Sequence, residues 1–174
     1  MLVVVMCAMT STAGWAAPTS SGNSADVLEL TCTLTSDNTY HPGLQLAPRS
    51  IAVTGVRDYG PCVSTTAPGI TAGSSSFATT APLSCLNPGQ SQGGTETITW
   101  NDNTTTTYAF SQTVADVAGQ AVLTRIGTVT AGRFTGNAVL SILTLASLDL
   151  LGCLSTSGVT SQSGVGVLEF TSLS

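Results

Sequence analysis

The chain has 174 residues, enough for one domain, and only 7% of them are charged against a usual ~25%. There is no lysine, the only strong cations are Arg49, Arg57, Arg125 and Arg133, and the net charge is −5. A nucleic-acid partner is excluded, because binding one takes several phosphate-neutralising cations on one face. Disorder is excluded too, because the mean hydropathy is +0.34 and aliphatic and aromatic residues recur at strand spacing.

The opening MLVVVMCAMTSTAGWAA is apolar and ends in small residues, so it reads as a secretory signal peptide. Gly14 at the small −3 position and Pro18 beyond the run place the cut after Ala16. The expected organisation is a signal peptide over 1–16, a polar leader over 17–25 and a single secreted domain over 26–174. The apolar run is shorter than the ~18 residues of a membrane span, so none is expected in the mature protein. No lipoprotein anchor is read at Cys7, because Met6 before it is too large.

Removal of Cys7 with the signal leaves Cys32, Cys62, Cys85 and Cys153. An even cysteine count in an exported chain implies two disulfides. Zinc is the poorer alternative: there is no C-x-x-C pair and His41 is the only histidine. Four cysteines allow three connectivities. Cys62-Val-Ser-Thr and Cys153-Leu-Ser-Thr echo one another, which favours Cys62–Cys153 with Cys32–Cys85.

Taken in order, Asp26–Thr35 alternates as a first strand, and Ser36–Gly43 (SDNTYHPG) reads as a turn. Leu44–Pro48 reads as a short edge, and Ser50–Tyr59 as a β-branched strand stopped by Gly60-Pro61. Cys62–Ser76 is loop-like, Phe77–Cys85 is a weak strand interrupted by Pro82, and Leu86–Gly94 is a surface loop. Thr95–Trp100 alternates strictly, with Thr95, Thr97 and Thr99 on one face and Glu96, Ile98 and Trp100 on the other. Asn101-Asp102-Asn103 turns the chain into Thr104–Val114, the clearest hairpin. Ala118-Gly119-Gln120 is the next turn, Ala121–Thr130 the next strand, Ala131–Asn137 a glycine-flanked connection, and Ala138–Leu145 the most apolar strand, placed centrally in a sheet. Leu148–Leu154 is short and apolar, Ser155–Gly164 a loop, and Val165–Leu173 a final strand. Eight or nine short strands without a convincing helix predict an all-β fold. An antiparallel β-sandwich with immunoglobulin-like Greek-key connections is the first choice, and a β-barrel the alternative.

Several pieces together resemble a group of small secreted actinobacterial proteins: Tyr40-x-Pro42-Gly43-Leu44 with Pro48-Arg49, Thr97-Ile98-Thr99-Trp100-Asn101, Gly127-Thr128-Val129-Thr130-x-Gly132-Arg133-Phe134-x-Gly136, and Cys153-Leu154 with Gly158-Val159-Thr160-Ser161. The resemblance covers nearly the whole mature chain. It implies export and a disulfide-bonded β domain, and it carries no activity with it.

Candidate chemistry is sparse. Gly89-Gln90-Ser91-Gln92-Gly93 matches G-x-S-x-G, but no strand-to-helix turn follows, so it reads as a chance match. His41, between Tyr40 and Pro42, reads as a turn residue with no fixed partner for base catalysis. Asp102 reads as turn chemistry rather than a calcium ligand, since no acidic cluster adjoins it. Asn103-Thr104-Thr105 is a glycosylation sequon expected to be unused. Glu96 and Glu169, the acids a glycosidase pair would need, read as exposed strand positions. Thr31/Thr33/Thr35, Thr95/Thr97/Thr99 and Thr128/Thr130 suggest a flat threonine face that could hold an ordered surface.

The function expected from these readings is that of a non-catalytic secreted protein with no catalytic residue, cofactor or metal. It would be wall-associated or a binding module, its partner a cell-wall polysaccharide or an extracellular protein. The alternatives are an inhibitor or interaction partner acting through Ser64–Ser76 or Leu86–Gly94, and a hydrolase.

Overall fold

The computed structural model describes residues 26–172. The expected signal peptide and leader lie outside the described residues. Eight strands follow one another: β1 Val27–Leu44, β2 Arg49–Ser64, β3 Gly73–Leu83, β4 Gln92–Trp100, β5 Thr105–Val117, β6 Gln120–Gly132, β7 Ala138–Leu145 and β8 Val159–Ser172. A single helical turn, α1 (Leu150–Leu154), lies between β7 and β8. Each strand pairs antiparallel with the next, and β8 pairs with β1, so the sheet closes into a barrel.

The all-β antiparallel expectation holds, and the barrel alternative replaces the β-sandwich. Two-residue alternation is common to both, because each buries one face of every strand. What separates them is the pairing of β1 with β8, which runs from Val27↔Ser172 to Leu44↔Val159. No Greek-key crossover occurs in the strand order. In the closed barrel β7 pairs with β6 and β8, and since every strand of the barrel has two partners, none is central.

The strands are longer than expected. Ser36–Gly43, read as a turn, continues β1, and Ser36, Asn38 and Tyr40 all face inward. Their polar atoms are satisfied inside the barrel: the Ser36 hydroxyl donates to Asn38 Oδ1 at 3.2 Å and the Tyr40 hydroxyl to Gln162 Oε1 at 2.8 Å. β2 runs through Gly60-Pro61 to Ser64, so Ser64–Ser76 is not a free loop; Ile70 within it is buried in the core. Pro82 sits within β3 and faces outward. β8 likewise begins inside the expected Ser155–Gly164 loop.

Short turns join the strands of the central meander. Ala118 and Gly119 both have positive φ, the twist a two-residue hairpin turn needs. Asn103 takes the left-handed region in the β4–β5 turn.

Two apolar clusters fill the barrel. One packs Trp100, Tyr59, Tyr108 and Phe170 with Leu30, Leu34 and Ile98. Gly73 lacks the Cβ that would lie 2.5 Å from the Trp100 ring, so the indole seats against β3. The second cluster groups Tyr40, Leu44, Ile51, Val53, Ala81 and Leu83. The outward face is rich in threonine, including Thr33, Thr35, Thr54, Thr97 and Thr128. The same outer face also exposes Val56, Ile126, Ile142 and Val165. Among the described residues no helix is long and apolar enough to cross a membrane.

Two disulfides are present, but not in the expected pairing. They join Cys32 to Cys62 and Cys85 to Cys153. Cys32 and Cys62 are directly opposite in the β1–β2 ladder, which the extension of β2 beyond Pro61 makes possible. Cys153 sits on α1, where it ties the β7–β8 connection to the residue that follows β3 by two positions. The two Cys-x-Ser-Thr segments are therefore not equivalent strand ends.

Candidate functional site

The β3–β4 seam is unlike the others. Only Gly73↔Trp100 and Ser74↔Thr99 pair across it, whereas β2 pairs with β3 from Arg49↔Leu83 to Tyr59↔Gly73. Beyond Ser74 the two strands diverge, and the Ser84–Ser91 connection arches between them. The result is a lateral window framed by β3, β4 and that connection.

Behind the window lies a cavity of about 800 Å³. Its lining includes consecutive β3 residues from Ser74 to Thr79, so the cavity reaches both faces of that strand through the gap. Val53, Ala81, Leu83, Leu123, Leu143 and Leu145 form apolar wall. The volume falls within the ~300–1,000 Å³ usual for small-molecule sites. Eight strands give an interior that side chains can just fill or that can hold one small ligand.

One charged cluster stands in this interior. The alternation of Thr95–Trp100 turns Glu96 inward beside Ile98 and Trp100. Arg57 on β2 and Arg125 on β6 reach the same point by the same period. Arg57 Nη1 donates to Glu96 Oε2 at 2.7 Å, and Arg125 Nη1 donates to the same oxygen. Glu96 Oε1 accepts from Ser75 at 2.6 Å and from the Tyr59 hydroxyl. Arg125 Nε donates to Gln112 Oε1 at 2.7 Å, and Gln112 Nε2 donates to the Gln90 carbonyl at 2.7 Å. Each guanidinium also lies over an aromatic face, Arg57 over Phe77 at 4.3 Å and Arg125 over Phe110 at 4.2 Å. Gly55 leaves room for Phe77, since a Cβ there would lie 2.5 Å from the ring.

The electrostatics follow from this packing. Burial alone would raise the Glu96 pKa, but Arg57, Arg125 and the bonds from Ser75 and Tyr59 together hold it below the ordinary 4.5. Burial, with the Glu96 charge nearby, pushes the Tyr108 phenol up to about 12. Burial also raises Tyr59 well above its ordinary value, so at neutral pH it is a neutral donor to Glu96. Two guanidiniums against one carboxylate leave the cluster with one net positive charge. Arg57 uses only Nη1 in hydrogen bonds to described residues, Arg125 uses Nε and Nη1 and also adjoins the Tyr108 hydroxyl, and both residues line the cavity.

The structure disposes of several sequence candidates. Glu96 is buried rather than exposed, and Glu169 lies on the outward face of β8 between inward Leu168 and Phe170, so the two acids do not meet. Ser91 caps a backbone amide, accepting from Val114 N at 3.3 Å, and the Gly89–Gly93 stretch leads into β4 rather than a helix. That stretch has a role the motif did not suggest, because Gly89, Gln90 and Gly93 wall the cavity. His41 is exposed and lies in the ladder opposite Ala52. Asp102 holds its own turn, accepting from Thr104 N at 3.0 Å and pairing with Arg133 at 3.0 Å. Among the described residues no three His, Cys, Asp or Glu side chains group as a metal site. The threonine rows do not form one flat face. Thr95/Thr97/Thr99 and Thr128/Thr130 share the β4–β6 wall, with Thr97 and Thr107 hydroxyls 2.8 Å apart, while Thr31/Thr33/Thr35 lies on β1, between β8 and β2.

Arg57 and Arg125 were counted from the sequence only as scattered cations. The available signal was that each sits at the inward phase of an alternating strand, flanked two residues away by apolar positions such as Tyr59 and Leu123. The chain matches no known protein family, no curated protein and no solved structure.

Proposed function

We propose that this is an exported, non-catalytic binding protein that holds a small molecule inside its barrel. The observation that carries this is the windowed cavity of about 800 Å³ with a satisfied charged cluster set among apolar walls. The two disulfides suit an oxidising, extracytoplasmic setting, as does the resemblance to small secreted actinobacterial proteins. A hydrolytic role is the weaker reading. A general acid or base works best with a pKa near the operating pH, and Glu96 is held ionised by two guanidiniums. His41 has no place in the cavity lining.

The test is saturable binding of a neutral, environment-sensitive fluorophore, N-phenyl-1-naphthylamine, to the oxidised protein. The expected result is one site per chain, abolished by Leu143→Trp, which fills the cavity, with the circular dichroism of the barrel retained. Absence of saturable binding to the unmodified protein would overturn the proposal.

The threonine wall of β4, β5 and β6 favours a second reading, attachment to a cell-wall polysaccharide. The expected result there is retention on purified wall that Thr128→Lys with Thr130→Lys removes, since both residues are exposed and lie outside the cavity lining.

A further inference from the structure

Resting on the cavity as a small-molecule site, we infer that its ligand is an amphipathic monocarboxylate, with its head group on Arg57 and Arg125 and its apolar body along the leucine wall. Three observations converge on this class. The cluster carries one uncompensated positive charge in a protein whose overall charge is −5, so the cavity selects for an anion that the outer surface does not attract. Arg57 Nε and Nη2 have no hydrogen-bond acceptor among the described residues while Arg57 and Arg125 both line the cavity, and a guanidinium edge matches a carboxylate in a paired geometry. Finally, Phe77 and Phe110 cover one face of each guanidinium, so the charges are held in place before a ligand arrives.

Leu83, Leu123, Leu143 and Leu145 supply the complementary apolar surface in the same cavity. A head group alone would leave that surface wet, and an uncharged hydrocarbon would leave the arginine donors unpaired in a poorly solvated space. A monoanion with an apolar body satisfies both. The window between β3 and β4 opens beside Phe77 and Glu96, which gives such a molecule a path that does not unravel either end of the barrel.

The experiment is displacement of N-phenyl-1-naphthylamine from the oxidised protein by three compounds with one body: dodecanoate, dodecanol and dodecylammonium. Dodecanoate is expected to bind at least tenfold more tightly than dodecanol, and dodecylammonium more weakly than either. In Arg125→Gln the cluster becomes neutral, and the advantage of dodecanoate over dodecanol is expected to fall to within threefold. Equal binding of dodecanoate and dodecanol to the unmodified protein, with the fluorophore still bound, would overturn the carboxylate assignment and leave the cavity reading standing. Failure of the fluorophore and all three compounds to bind would overturn both.

Discussion

Arg57 Nη1 and Glu96 Oε2 meet at 2.7 Å across the barrel interior, joining β2 to β4 beneath the intervening β3. Arg125 brings β6 to the same oxygen. One carboxylate therefore ties three strands that share no ladder. It does so beside the seam where the backbone pairing is weakest.

Removing that carboxylate should cost more than removing either partner. Glu96→Gln leaves two buried guanidiniums unneutralised, and breaking a buried pair in this way costs about 3–5 kcal/mol. Arg125→Gln leaves the Arg57–Glu96 pair intact and should cost less. Guanidinium unfolding at pH 7 measures both. A Glu96→Gln cost below about 1 kcal/mol, or a larger cost for Arg125→Gln, would show that the cluster does not hold the strands together.

Acid should erase the same contribution. The folded pKa of Glu96 lies below its ordinary 4.5, so on acidification the unfolded chain takes up that proton first. The stabilisation is full above about 4.5 and is lost as the pH falls through the lower folded value. The difference in Tm between the unmodified protein and Glu96→Gln should therefore be largest near neutrality and shrink below pH 4.5. A difference that grows on acidification would contradict the assigned direction.

The Cys85–Cys153 bridge closes the longer loop, with a sequence separation of 68 against 30 for Cys32–Cys62. In the chain-entropy model each is worth about 4 kcal/mol, the longer loop somewhat more. Replacing Cys85 and Cys153 together by serine should lower stability by about 2–5 kcal/mol. A peptide map of the non-reduced protein should recover Cys32 with Cys62, and recovery of Cys62 with Cys153 would refute the fold described here.

Hydrogen exchange should mark the window. Along Ser76–Leu83, the alternate amides that point away from β2 have no ladder partner on β4, whereas β5 and β6 pair from Thr106↔Gly132 to Val117↔Gln120. Those β3 amides should exchange at least tenfold faster than amides at the centre of β5. Equal protection along both seams would mean that the window is closed in solution.

Much of the β4–β7 meander was legible because it rests on local signals. Alternation placed Glu96, Ile98 and Trp100 on one face, and Asn103 and Gly119 supply the backbone tolerance that the turns after β4 and β5 use. The first half was harder to read. Ser36, Asn38 and Tyr40 are polar or amphipathic, so their inward phase looked like a turn, and only Gln162 from β8 shows how Tyr40 is satisfied. The same masking covers the candidate site: the inward phase of Arg57 and Arg125 is legible in the alternation of their strands, but that both meet Glu96 shows only when the three strands are in place.

By itself the sequence determined the all-β class, the poverty of charge and most of the central turns, because each depends on composition or on neighbours a few residues apart. Tertiary structure alone decided that the sheet closes, which cysteines pair, and that Arg57, Glu96 and Arg125 share one interior. Those outcomes depend on register between segments tens to more than a hundred residues apart, as in Leu30↔Phe170, and no local preference encodes them.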